Sequence, residues 1–253
     1  MISKNRVKQI QFLHQKKFRE QNKLFLAEGI KTVKELIASR PEVIEELFAT
    51  VDFIKENEPL LKKNRIGFSE ISEKELGQIS SQTTPNQVLA VCRFFEEGDY
   101  SFDFEKNFSL YLDDIRDPGN FGTIIRMADW FGISTIFCSP SSCELYNNKV
   151  IQATMGAFMR VKVVYLPLNE VMDKNKPAKI YGAVLNGKNL FKEKLEPGLI
   201  LIGNEANGIN KENLELINAP LTIPSHSNNG TESLNAAMAT SIIVSEFFRQ
   251  ICV

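Results

Sequence analysis

The chain has 253 residues, of which 43% are hydrophobic and 24% charged, and its formal net charge is −1. That length leaves room for two domains or one large α/β unit with a substantial core. No apolar run approaches the roughly 18 residues that a membrane-spanning helix needs. The opening MISKNRVKQI has neither the apolar core nor the small-residue cleavage site of a secretory signal, so the expectation is a cytoplasmic protein with no membrane partner.

Cys92, Cys138, Cys143 and Cys252 show no Cys-x-x-Cys pairing and only two histidines stand beside them, so no metal site is expected. The near-zero net charge hides a local asymmetry. Residues 1–24 carry seven Lys or Arg against one Glu: Lys4, Arg6, Lys8, Lys16, Lys17, Arg19 and Lys23. Such a stretch can neutralise several phosphates through counterion release, or it can be an ordinary solvated helix face.

In chain order, residues 5–17 place Val7, Ile10 and Leu13 at helical spacing, and Leu24 to Ala27 form a short apolar run ahead of a helix over Ile30 to Ala38. Val43 to Thr50 reads as a strand with a helical lead-in, Phe53 to Lys63 as a helix and Ile66 to Phe68 as a short strand. Ser72 with Glu75 spells a capping box for a helix running to Ile79, and Val88 to Phe94 reads as a strand. The acidic stretch that follows holds only scattered aromatics, so residues 96–108 are expected to link a domain over 1–95 to a second over 109–253. From residue 109 onward, strands are expected at Leu110 to Leu112, Thr135 to Cys138, Arg160 to Tyr165, Ile180 to Leu185, Leu199 to Ile202 and Leu221 to Ile223, most of them separated by helical segments. Apolar strands alternating with helices predict a mainly parallel sheet covered on both faces, a doubly wound α/β domain.

Three loops of this second half carry candidate chemistry. Asp113 to Asn120 follows the first strand and leads into a helix over Phe121 to Phe131, with Asn120 placed to cap it and Arg126 on its body. Open α/β sheets put ligands at such carboxyl ends of strands, where backbone groups are left unpaired. Gly203-Asn-Glu-Ala-Asn-Gly-Ile209 follows another apolar strand, and its glycines permit close backbone approach to a bound group. It lacks the dinucleotide fingerprint and the Lys-Ser/Thr of a P-loop. In the third segment Ile223 and Pro224 end a strand, Ser225 to Thr231 form a loop, and Thr231 or Ser233 can cap a small-residue helix that begins beyond Glu232-Ser-Leu-Asn235. Taken singly, each is also what a surface turn or a capped core helix would show. Their joint occurrence, each after a buried strand, is what points to a site.

These three ordered segments resemble the motifs of the SpoU/TrmH family of RNA ribose 2′-O-methyltransferases, in the SPOUT superfamily. The likeness is specific over residues 109–253 and weaker over 1–95, where Asn5-Arg-Val-Lys8, Lys16-Lys-Phe-Arg19 and Phe25-Leu-Ala-Glu-Gly-Ile-Lys31 resemble a substrate-binding domain whose fold is shared with ribosomal RNA-binding proteins. The resemblance implies S-adenosylmethionine as cofactor, RNA as partner with ribosomal RNA favoured over transfer RNA, a homodimer, and a trefoil knot in the carboxy-terminal domain. It implies cofactor contacts at Gly203, Ile223 and Leu234, with Asn204 and Pro224 nearby, and catalytic or ordering roles for Asn120, Arg126, Glu205, Ser233 and Asn235. It also makes Lys4, Arg6, Lys8, Lys16, Lys17 and Arg19 an RNA-docking surface. One departure is that the seven residues between Pro224 and Glu232 exceed the family's usual loop by about two.

The family reading describes Arg126 as the base, yet a guanidinium holds its proton tightly and is a poor proton acceptor. Arg126 fits better as a clamp on an RNA phosphate, with the ribose proton passing to phosphate, to water or to a transiently neutral Arg. Alternatives that keep the fold are a transfer-RNA ribose methyltransferase, methylation of a base nitrogen, and a non-catalytic RNA-binding protein.

Overall fold

A computed structural model of the chain describes residues 2–96, 98, 100–226 and 233–252. The elements begin with α1 (Lys4–Phe12), α2 (Lys16–Asn22), β1 (Leu24–Glu28), α3 (Ile30–Ser39), β2 (Ile44–Ala49), α4 (Val51–Lys63), β3 (Ser69–Glu70), α5 (Glu73–Ile79) and β4 (Val88–Arg93). They continue with β5 (Phe108–Asp113), α6 (Pro118–Trp130), β6 (Thr135–Cys138), α7 (Asn148–Thr154), β7 (Lys162–Tyr165) and α8 (Leu168–Asn175). Last come β8 (Ile180–Asn189), β9 (Gly198–Gly203), α9 (Lys211–Leu214), β10 (Ala219–Thr222) and α10 (Ala236–Ile251). The chain divides into two compact units, residues 1–97 with 144–159 and residues 98–143 with 160–253.

In the first unit the sheet order is β1-β4-β2-β3, antiparallel except for the parallel β2/β3 pair. One cluster of its buried residues joins Ile10 and Leu13 to Leu26, Phe48, Leu89 and Val91 of the strands and to Leu76 and Ile79 of α5. An aromatic group brings Phe25, Phe94 and Phe95 against Tyr146 and Phe158, with the Phe94 and Tyr146 rings stacked at 3.9 Å. The segment 144–159, which the sequence pattern placed in the carboxy-terminal domain, is therefore part of this core. The expected capping box of α5 is present, Ser72 and Glu75 each serving the other's backbone.

The short strand expected at Ile66 to Phe68 lies instead at Ser69–Glu70, pairing with Phe48 and Ala49. Arg65 takes a left-handed turn (φ 55°) as α4 ends, and the apolar residues after it are spent on reaching the sheet edge, which leaves Phe68 exposed.

In the second unit the six strands run β10-β8-β9-β5-β6-β7, and every pairing is parallel. Central β5 is buried at all six positions, which is why it reads as an apolar run rather than an alternation. Phe104, Tyr111, Phe137, Leu199, Leu201 and Ile209 belong to one buried cluster of this unit, while α6 and α10 pack on each other elsewhere in it. The stretch read as a linker is only partly free, since Phe104 is buried in that cluster and Tyr100 and Phe102 pack against it. The three aromatic rings in an otherwise acidic segment were the available signal.

Both helix starts near the candidate loops differ from expectation. The cap of α6 is Asp117, whose side chain accepts from Asn120 N at 2.7 Å, and Pro118 takes the first helical position, where its missing N–H costs nothing. Asn120 therefore lies inside the first turn, and its side chain is released for other work. The cap of α10 is Asn235, accepting from Ala237 N and Met238 N, not Ser233; Thr231, the other expected cap, lies outside the described residues.

Candidate active site

The site forms in the second unit, beyond the carboxyl ends of neighbouring β5 and β9, where Asp113 stands in register with Gly203. Asp113 is fully buried, and both carboxylate oxygens are satisfied by one residue: Oδ2 accepts Asn210 N at 2.8 Å and Oδ1 accepts Asn210 Nδ2 at 2.7 Å. Asp114, left-handed at φ 59°, donates its N–H to Ser139 Oγ, and its carbonyl accepts Asn204 Nδ2, both at 2.8 Å. Asn204 also turns the chain over itself: its Oδ1 accepts Ala206 N and Asn207 N, and its backbone exchanges two hydrogen bonds with Gly208. Gly208 adopts φ 69°, and a Cβ on Gly203 would collide with the backbone of Gly208 and Ile209, so both glycines are demanded by this hairpin-like loop.

Three side chains then join the three motifs. Asn120 Nδ2 donates to Glu205 Oε1 at 2.8 Å, and Asn120 Oδ1 accepts Asn235 Nδ2 at 2.9 Å. The amide thus spends its donor on motif two and its acceptor on motif three, while Asn235 Oδ1 still caps α10. Glu205 and Asn235 are exposed and Asn120 is half-buried, so the chain of bonds lies at the open edge of the cleft.

Arg126 lies almost two turns further along α6, exposed, with no hydrogen bond or ion pair to another described residue. It borders an open groove of about 700 Å³ together with Thr123, Met127, Trp130, Phe191 and Ile242. Ser233 and Leu234 are exposed just ahead of the α10 cap; Ile223 is half-buried and Pro224 exposed after β10. Of the sequence candidates, Asn120, Glu205 and Asn235 are brought into direct contact, and Gly203 and Asn204 form the base of the loop carrying Glu205. No bond joins Arg126 to that group.

The candidate RNA-docking residues of the first unit divide. Lys4, Lys8, Lys16 and Lys17 are exposed, with Lys16 3.6 Å from Glu20. Arg6 is bound through Nε and NH2 to Glu46. Arg19 is only 2% exposed; it grips both oxygens of Glu144 at 2.9 Å and gives NH1 to the Leu13 carbonyl at 2.8 Å. Arg19 is therefore a core ion pair and not an RNA contact, a correction that charge counting could not make because its partner is 125 residues away. Sequence reasoning also passed over Asp113, Asp117 and Asn210. Paired aspartates directly after an apolar strand, and an Asp-Pro step before a helix, were the signals present.

The SpoU rRNA Methylase family matches residues 107–245, and the MRM3-like substrate binding domain matches residues 4–90. A Bacillus subtilis relative, 23S rRNA (guanosine(2553)-2′-O)-methyltransferase RlmP, is 29% identical over 245 residues, spanning 94% of each chain. Among solved structures, one described as an RNA methyltransferase of the TrmH family from Porphyromonas gingivalis is 32% identical, with a TM-score of 0.81 over 98% of this chain and 99% of its own. An rRNA methyltransferase from Sinorhizobium meliloti, solved with AdoMet bound, is 25% identical with a TM-score of 0.81 over 98% of this chain and 96% of its own.

Fold, laced loops and likeness together define an α/β RNA methyltransferase domain with an attached substrate-binding unit. The chain belongs to the SpoU rRNA methylase family. Its activity is S-adenosylmethionine-dependent 2′-O-methylation of RNA.

Proposed function

We propose that the enzyme methylates a ribose 2′-hydroxyl of ribosomal RNA in the cytoplasm, at a site built from residues 113–126, 203–210, 223–226 and 233–238. The observation that carries this reading is the lacing of Glu205, Asn120 and Asn235, which draws together stretches up to 115 positions apart. Ribosomal RNA as substrate is supported by the B. subtilis relative, whose name specifies a 23S rRNA nucleotide.

The residues present suit S-adenosylmethionine. Strand ends supply backbone donors and acceptors, Gly203 keeps the loop close, and Ile223, Leu234 and Met238 offer accessible apolar surface for an adenine and a thioether. Gly203, Ile223, Pro224 and Leu234 would hold the cofactor, with Asn204 shaping the loop. When bound, it supplies an electrophilic methyl group. The Arg126 guanidinium, with its planar fork of donors, clamps an RNA phosphate and stabilises negative charge growing on the ribose oxygen. Asn120, Glu205 and Asn235, with the exposed Ser233 beside them, orient the nucleotide. Fixed orientation can remove about 7–11 kcal/mol of barrier, so a site with modest acid–base equipment suffices.

Lys4, Lys8, Lys16 and Lys17 are the RNA-docking cations of the first unit in this reading. A homodimer is supported by the groove between α6 and α10, where Trp130 is 84% exposed and Phe191 54% exposed, more apolar surface than a lone protomer has reason to show. The family's trefoil knot is carried over to the carboxy-terminal segment from the family likeness.

The test is methyl transfer from tritiated S-adenosylmethionine to RNA of a strain lacking the gene, followed by nuclease digestion and mass spectrometry. A 2′-O-methylnucleoside from ribosomal RNA is expected, and Arg126→Ala should lower turnover on the order of 10²–10³-fold with an unchanged circular dichroism spectrum. A base-methylated product, a transfer-RNA product, or full turnover in the variant would overturn the corresponding part of the assignment.

A further inference from the structure

We propose that Asp113 is a positioning residue for methyl transfer: it latches the 203–210 loop to the end of β5 through Asn210. The inference rests on the reading of this cleft as the cofactor site. Asp113 is 0% exposed, and a carboxylate taken out of water is costly unless each oxygen is paired. Here both bonds come from a single residue 97 positions away, one from its backbone and one from its side chain. An apolar residue of similar size would serve the packing of a buried strand end equally well. What the carboxylate adds is direction, because two bonds to one partner fix both where Asn210 lies and how it is turned.

Asn210 closes the loop that starts at Gly203, and the other end of that loop is held by the neighbouring aspartate. The Asp114 carbonyl accepts Asn204 Nδ2 at 2.8 Å, so consecutive residues of β5 and its exit grip the two ends of the 204–210 turn. Between those grips the Asn204 and Gly208 backbones pair, and Glu205 is carried out to Asn120. Asp113 itself is fully buried and spends both oxygens on Asn210. Its effect is transmitted through the placement of the loop backbone from Gly203 to Ile209, the stretch proposed to face the cofactor. Releasing the latch should therefore weaken cofactor binding first and turnover second.

The experiment compares wild type, D113N, N210A and the exchange D113N/N210D by calorimetry with S-adenosylmethionine and by steady-state methyl transfer. D113N keeps size and shape but presents an amide N–H to a donor of Asn210. A charge-assisted pair of this kind is worth enough that the KM for S-adenosylmethionine should rise about tenfold to a hundredfold, with kcat at saturating cofactor changing less than KM. N210A removes one bond of the two, spares the backbone one, and should give a smaller rise. In the exchange variant the amide at 113 donates to the carboxylate at 210 and its carbonyl accepts the backbone N–H, so both bonds return and the KM should fall back towards wild type. An unchanged KM in D113N and N210A, or an exchange variant no better than D113N, would overturn the inference. If D113N fails to fold, N210A and the exchange variant decide by the same criteria. Absence of binding in the wild type would instead overturn the reading of the cleft, an outcome separate from any difference among variants.

Discussion

Replacing Arg19 by methionine removes three hydrogen bonds from the first unit: two to the Glu144 carboxylate at 2.9 Å and one to the Leu13 carbonyl at 2.8 Å. Arg19 is 2% exposed and the Glu144 side chain 14%, so water cannot take over the contacts that are lost. Removing one member of a buried ion pair costs about 3–5 kcal/mol, a large part of the roughly 5–15 kcal/mol that holds a native domain together. With a urea slope of about 1–3 kcal/mol per molar, the midpoint for the first unit should fall by at least about 1 M. Far-ultraviolet circular dichroism follows the transition. The double variant R19M/E144M should recover part of the loss, because it removes both charges of the pair together. A shift of R19M below about 0.3 M would place the pair with exposed salt bridges and refute the argument. The same reasoning expects a fragment of residues 1–95 to be much less stable than the intact unit, since it lacks Glu144, Tyr146 and Phe158.

Gly203→Ala should abolish measurable S-adenosylmethionine binding while sparing the sheet, because its Cβ meets the backbone of Gly208 and Ile209 rather than a side chain that could move; calorimetry with normal heats would contradict this. Burial lowers the pKa of His14 below its ordinary value, and Asn148 Nδ2 lies 2.8 Å from its Nδ1. A base whose folded pKa is depressed contributes stability that is complete above its unfolded value of about 6.5 and is lost as pH falls through the folded one. The urea midpoint should thus drop as the pH falls below about 6.5 in wild type and less so in His14→Gln; equal slopes in the two proteins would remove His14 from the pH response. Trp130→Glu alters a side chain that is 84% exposed, so folding should be unaffected while sedimentation shows monomer in place of dimer. A monomeric wild type, or a variant that still sediments as a dimer, would reject the proposed interface.

Much of the architecture was legible without coordinates. Apolar runs such as Leu110 to Leu112 and Leu199 to Ile202 could only be strands buried on both faces, and the capping box at Ser72 and Glu75 is a local signal that needs no tertiary support. Motif order along the chain placed Asn120, Glu205 and Asn235 after strand ends, which narrows them to one edge of a parallel sheet. Local chemistry also contained signals that were passed over, such as the Asp117-Pro118 start of α6. Tertiary structure alone decided which polar groups spend their bonds on one another. Arg19 looks like its basic neighbours until Glu144 arrives to bury it, and Asn120 looks like a cap until Asp117 takes that place and frees its amide to bridge Glu205 and Asn235. The physical reason is range: backbone propensity and hydrophobic period act within a few residues, whereas the desolvation of a charge and the direction of a hydrogen bond depend on whatever the fold brings alongside from more than 80 positions away.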